Sequence, residues 1–158
     1  MASRTGDAML QTSSYPVKQL DMAGYSGKPL AEKLGIKPGM TVVTMNEPPN
    51  YRRLLAQAAN GVNFSGRVRN GCDFIHFFTT RRSELQKQLK RLRSQVADTG
   101  IVWVSWPKKS AGVATDVTED VIRAVALPLG FVDVKVCAVD ETWSGLKLMI
   151  RRENRKST

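Results

Sequence analysis

The chain has 158 residues, 42% of them hydrophobic, which suits one domain that buries about two-thirds of its unfolded surface. No apolar run approaches the ~20 residues of a membrane-spanning helix, and the opening MASRTGDAMLQTSS lacks an apolar signal-peptide core, so a soluble, cytoplasmic protein with no membrane association is expected. The net charge of +10 is concentrated: residues 67–110 hold ten Lys or Arg against three acids, whereas residues 111–150 hold three against six.

Residues 1–21 are polar and aperiodic, which predicts a flexible arm; residues 22–152 form the domain and residues 153–158 a basic tail. PLAEKLG predicts a short helix with Pro29 at its first position and Gly35 at its end. The turn GIKPGM then leads into a first strand, MTVVTMN. Tyr51, Leu54, Leu55 and Ala58 fall at helical spacing and predict a first crossover helix, stopped by Asn60-Gly61. VNFSGRV reads as a short strand and GCDFIHFF as a strongly apolar one. Only Arg69 to Gly71 separate them, where a parallel crossover ordinarily takes about ten residues or more. The expectation is that the usual intervening elements are deleted and that VNFSGRV lies beside the first strand.

Ser83 and Gln86 have capping-box spacing ahead of a helix whose buried stripe is Leu85, Leu89, Leu92 and Val96. GIVWVSWP, apolar from Ile101 to Trp106, fits a parallel strand covered on both faces. The loop KKSAGVATD is long and rich in small residues, as a mobile lid would be. Asp116 or Thr118 can cap the next helix, which turns Val121, Ile122, Val125 and Leu129 inward. FVDVKVCAV and LKLMIRR alternate, and the turn between them is too short for a crossover, so they pair antiparallel. The fold class is therefore α/β: a single open, mostly parallel, doubly wound sheet ending in an antiparallel β-hairpin.

Several residues have ordinary structural readings. Cys72 and Cys137 lie in predicted strands with no second Cys or His at metal-ligand spacing, so buried, reduced thiols and no metal site are expected. His76, the only histidine, sits between Ile75 and Phe77 and reads as a hydrogen-bonded core residue. GYSGKP has neither the spacing nor the preceding strand of a phosphate-binding loop.

LGIKPGMTVVTMN, CDFIHFF, GIVWVSWP and the terminal hairpin resemble the strands of class I methyltransferases, a Rossmann-like variant. GYSGKPLAEKLGIKPG, WVSWPKK, TEDVIRAVALPLG and VDETWSGLKLMIRR together resemble a family of small bacterial proteins defined by a domain of unknown function. That resemblance spans about Gly24 to Arg152; it implies a bacterial cytoplasmic protein and carries no activity with it. The methyltransferase pattern implies glycines after the first strand and an acid after the second. Here those positions read NEPPNY and SGRVRN, and proline neither donates an N–H nor takes positive φ. The expectation is no cofactor, with S-adenosylmethionine considered and rejected.

Ligands of such sheets bind at the carboxyl ends of the strands. The predicted rim candidates are Glu47, Thr79, Thr80, Trp106, Lys108, Lys109 and Trp143, with Trp106 and Trp143 flanking a flat ligand, Lys108 holding an anion and Glu47 acting as base or amine ligand. No nucleophile with its base is evident, so no catalytic residue is assigned. A second candidate surface is the basic helix face of Arg81, Arg82, Lys87, Lys90, Arg91 and Arg93, suited to nucleic acid or an acidic protein. The leading expectation is a non-catalytic binding module that meets an acidic partner through that surface. The alternative is a divergent methyltransferase or other nucleotide-cofactor enzyme that uses the rim.

Overall fold

The computed structural model of the protein describes residues 27–156, so the predicted arm and the last two residues of the tail lie outside it. Six strands form one sheet: β1 (Thr41–Met45), β2 (Asn63–Ser65), β3 (Cys72–Phe78), β4 (Val96–Pro107), β5 (Phe131–Ala138) and β6 (Trp143–Ile150), in the order β2-β1-β3-β4-β6-β5. The first four are mutually parallel, and β6 runs antiparallel to both β4 and β5. This is the open doubly wound sheet with a closing hairpin that the pattern predicts.

Strand periodicity sends alternate residues to two separate cores. Ile75 and Phe77 of β3, Val102, Val104 and Trp106 of β4, and Leu146, Leu148 and Ile150 of β6 meet helices α3 (Arg82–Gln95) and α4 (Glu119–Ala126). Phe74 and Phe78 of β3 and Trp103 of β4 meet α1 (Leu30–Leu34) and α2 (Tyr51–Leu55) on the other face.

VNFSGRV does pair in parallel with β1, with Ser65 level with Val43. β3 takes the other side of β1, with Ile75 level with the same Val43. Residues 66–71 must therefore cross β1 as a short strap. Val68, buried in the cluster that contains Val43, covers this part of the sheet where a crossover helix would otherwise sit. The strap ends against α3, since Gly71 N–H donates to Gln95 O at 2.7 Å. Just beyond, a Cβ on Gly100 would fall 2.9 Å from Cys72 O, so only glycine lets β4 approach β3 beside its irregular pairing there.

Three local expectations are corrected. The first crossover helix covers only Tyr51–Leu55 before a 3-10 turn over Ala56–Ala59. Val96 opens β4 rather than closing α3, although it stays buried. The start of α3 uses no Ser83 capping box: Arg82 N–H donates to Asp116 Oδ1 at 2.6 Å and Arg81 N–H to Thr79 Oγ1 at 3.3 Å. Asp116 thus caps α3, and Thr118 caps α4 by accepting from Val121 N–H at 3.2 Å.

Candidate functional site

From β1 the chain goes first to β2 on one side and then to β3 on the other. The carboxyl ends of β1 and β3 therefore flank the topological switch point, where open α/β sheets bind ligands. Asn46, the first residue after β1, has φ +58°. Asparagine is among the few residues that enter this left-handed region at low cost, and it makes here the turn that glycine makes elsewhere. Its Nδ2 donates to Phe78 O at 2.9 Å and to Glu84 Oε2 at 3.1 Å, which ties the end of β1 to β3 and to the first turn of α3.

Two carboxylates flank this turn in fixed orientations. Glu47 Oε1 accepts from Thr44 Oγ1 at 2.8 Å, and its Oε2 lies 3.4 Å from Arg52 Nε. Glu84 Oε1 accepts from Thr79 Oγ1 at 2.7 Å. Each oxygen keeps a lone pair for a further donor. Pro48 and Pro49 do not line this turn with backbone donors; Pro48 O accepts from Tyr51 N–H at 3.0 Å and launches α2.

Beneath the rim a polar chain crosses the core. Tyr51 OH lies 2.8 Å from His76 Nδ1, and His76 Nε2 lies 2.7 Å from Ser105 Oγ. Burial pushes the imidazole down to about 3, so the ring is neutral at physiological pH. Burial, with the Glu47 carboxylate adding to it, holds the Tyr51 hydroxyl well above the ordinary tyrosine value. His76 is thus the hydrogen-bonded core residue the sequence suggests, a neutral ring with one nitrogen donating and the other accepting.

The rim candidates do not converge on one ligand. Thr79 is buried and used to hold Glu84, and Thr80 O accepts from Thr115 Oγ1 at 2.7 Å. That bond, with the Asp116 cap, anchors the loop predicted as a lid. Trp106 belongs to the α3/α4 face, whereas Trp143 packs on the other face, edge-on to Phe78 at 5.1 Å between centroids. The two indoles therefore cannot flank the same flat ligand. Trp106, Lys108 and Lys109 instead line a separate open cleft of about 640 Å³ with Thr115 and Glu119. Asp140 Oδ1 accepts from Thr142 and Trp143 N–H at 2.8 Å each and so shapes the hairpin turn.

On the basic helix, Arg81, Arg82, Lys87, Lys90 and Arg91 are exposed. Arg93 is not part of that face; half-buried, it donates from Nε to Leu129 O at 3.0 Å. Cys72 and Cys137 form no disulfide and are half-buried rather than buried, and among the described residues no group of three His, Cys, Asp or Glu is placed to hold a metal. No helix among them is long and apolar enough to cross a membrane.

The sequence reading missed Glu84, the left-handed role of Asn46, and the polar use of Tyr51 and Ser105. Only Asn46 left a signal, as an asparagine directly after an apolar strand. Glu84 carries no signal beyond that of any acid in a first helical turn, and Tyr51 and Ser105 each occupy a position that reads as apolar core.

No protein-family model matches this chain, and no curated protein matches it. Solved structures do. An Aquifex aeolicus SAM-dependent methyltransferase aligns with TM-score 0.57 and 16% identity over 82% of this chain and 92% of its own. A Sulfolobus solfataricus protein assigned to the type 11 methyltransferases aligns with TM-score 0.58 and 16% identity over 80% of this chain and 92% of its own. The fold is the methyltransferase-like Rossmann variant.

The expectation of no cofactor is corrected by this likeness: the chain shares its fold with SAM-dependent methyltransferases over four-fifths of its length. One of its two physical premises also fails, because the left-handed turn that Pro48-Pro49 cannot make is made by Asn46. An adenosyl cofactor brings ribose hydroxyls and an ammonium as donors and a sulfonium as a further positive charge, and the two oriented carboxylates fit those donors and that charge. The acid that the methyltransferase pattern places after β2 has no counterpart in residues 66–71.

Proposed function

We propose that the rim between β1 and β3 binds an adenosyl cofactor of the S-adenosylmethionine class and that the protein is a divergent methyltransferase-fold enzyme. The observation that carries this reading is the left-handed Asn46 at the switch point, with the Glu47 and Glu84 carboxylates held on either side of it. In a chain of net charge +10, two fixed carboxylates at the ligand edge of the sheet select for hydrogen-bond donors and positive charge.

Glu47, two residues after β1, takes the part that an acid after β2 would otherwise play and accepts the ribose hydroxyls. Glu84 accepts the ammonium. Thr44, Thr79 and Asn46 keep both carboxylates in place, and the buried Tyr51–His76–Ser105 chain fixes the strand ends beneath them. When bound, the cofactor supplies an electrophilic methyl group. The fold likeness and the carboxylate pair favour this reading over a non-catalytic module.

Calorimetric titration with S-adenosylmethionine and S-adenosylhomocysteine tests it. Binding of both is expected, with Glu47→Gln and Glu84→Gln each weakening it about tenfold or more, the scale of a charge-assisted hydrogen bond. Each variant should keep the unliganded melting temperature within a few degrees. No heat at millimolar ligand, or equal binding by all three proteins, would overturn the proposal.

A further inference from the structure

Two helices lie side by side on the same face of the sheet, and their charges are treated oppositely. On α4, Arg123 is surrounded by Glu119, Asp120 and, across on β5, Asp133, whose Oδ2 accepts from Arg123 Nε at 2.7 Å. On α3, Glu84 is the only acid, and it is engaged at the rim. Arg82, Lys87, Lys90 and Arg91 point outward, and among the described residues none of them makes an ion pair.

The strap extends this charge. Gly71 touches the end of α3, and Arg67 and Arg69, both exposed and also without an ion pair among the described residues, line a depression of about 350 Å³ with Asn70. Asp73 is the single acid on its wall. The fourteen residues of α3 span about 21 Å at 1.5 Å each; Lys87, Lys90 and Arg91 lie within about 100° of one another around its outer face and continue with Arg67 and Arg69 onto the strap, whereas Arg82 lies to one side at the rim end.

We infer that this band tracks the phosphodiester backbone of a nucleic acid strand, at a surface distinct from the rim between β1 and β3. Unpaired cations in a line of this length match a polymer with a charge on every residue better than they match a single small anion. α3 turns its Leu85, Leu89 and Leu92 into the core, so it has no free apolar stripe to bury in a lipid interface. No aromatic residue stands among these cations, so phosphates are gripped and bases are not read. Binding is therefore indifferent to sequence and sensitive to salt.

The test is fluorescence anisotropy with a labelled single-stranded RNA of about 20 nucleotides, its DNA counterpart and the duplexes, between 50 and 200 mM salt. At about 0.7 counterions released per phosphate, a five-phosphate contact loses on the order of a hundredfold in affinity across that range. Arg67→Glu/Arg69→Glu and Lys87→Glu/Lys90→Glu should each weaken binding about tenfold or more and lower the salt slope by about 1.4, two phosphates' worth. Lys37→Glu/Arg152→Glu, which changes net charge equally on exposed positions outside the band, should weaken it less than about twofold. All six of those cations are exposed, and unchanged melting temperatures will show that the variants fold. Equal losses in the control pair, an unchanged slope in the band variants, or binding to phosphatidylserine vesicles with none to nucleic acid would each overturn the inference.

Discussion

On the face of the sheet covered by α3 and α4, the inward residues of β3, β4 and β6 are all apolar, from Ile75 and Phe77 to Leu146, Leu148 and Ile150. On the face covered by α1 and α2, the same β3 and β4 present Phe74, His76, Phe78, Trp103 and Ser105, a mixture of aromatic and polar groups. The covering helices account for the difference. α3 has fourteen residues and supplies three fully buried leucines, whereas α1 and α2 have five residues each. Helices that short are marginal in water, although Ala31, Leu34, Tyr51 and Leu55 are buried. Directional bonds from the sheet add to that burial: Trp103 Nε1 donates to Leu34 O at 2.9 Å, and Tyr51 OH meets His76. One face is held by apolar area alone, the other by apolar area together with a few buried hydrogen bonds.

The largest effect should come from cutting the main anchor of the second face. Trp103→Ala removes a fully buried indole and its bond to α1 and should cost about 4 kcal/mol, against about 3 kcal/mol for Leu89→Ala on the first face. Urea unfolding measures both. Amide exchange sharpens the comparison: Trp103→Ala should speed exchange in α1 well below the global unfolding limit, while Leu89→Ala should leave α1 protected relative to that limit. If α1 responds alike to both, the two faces are not separately held.

The same division explains what could be read from the residues. Strands β3, β4, β5 and β6 follow from apolar runs and alternation, because each is long enough for the period to show. Even the deleted crossover follows from the three residues between two strand patterns, since chain length alone forbids a helix there. The caps of α3 were not legible, because Asp116 reaches it from 34 positions away, past two intervening elements. The carboxylate pair was equally hidden: Glu84 becomes a rim group only once Asn46 turns back from β1, 38 positions earlier. Trp106 and Trp143 read as partners along the sheet edge, but Trp106 pairs in register with Ser144, so its neighbour Trp143 must point to the opposite face. Local pattern specifies elements, and long-range register decides which side chains meet.

A smaller effect distinguishes the faces by pH. His76 is the only histidine in the chain and sits on the hydrogen-bonded face. Its ordinary value is 6.5 and its folded value is about 3, lowered by burial. Because the folded value is the lower one, the unfolded chain takes up the proton first as the medium acidifies. The contribution to stability is therefore complete above about pH 6.5 and is lost as pH falls from there toward 3. Between pH 7 and pH 5, most carboxylates remain ionised, so a loss of about 2 kcal/mol over this interval belongs to this one imidazole. Denaturant unfolding at half-unit steps should give a slope approaching 1.4 kcal/mol per pH unit near pH 5. In His76→Gln the slope over the same range should vanish, although the protein starts from a lower stability. A wild-type curve that stays flat from pH 7 to 5 would mean that the imidazole reaches water in the folded protein, and the account of that face as sealed around a neutral Tyr51–His76–Ser105 chain would fail.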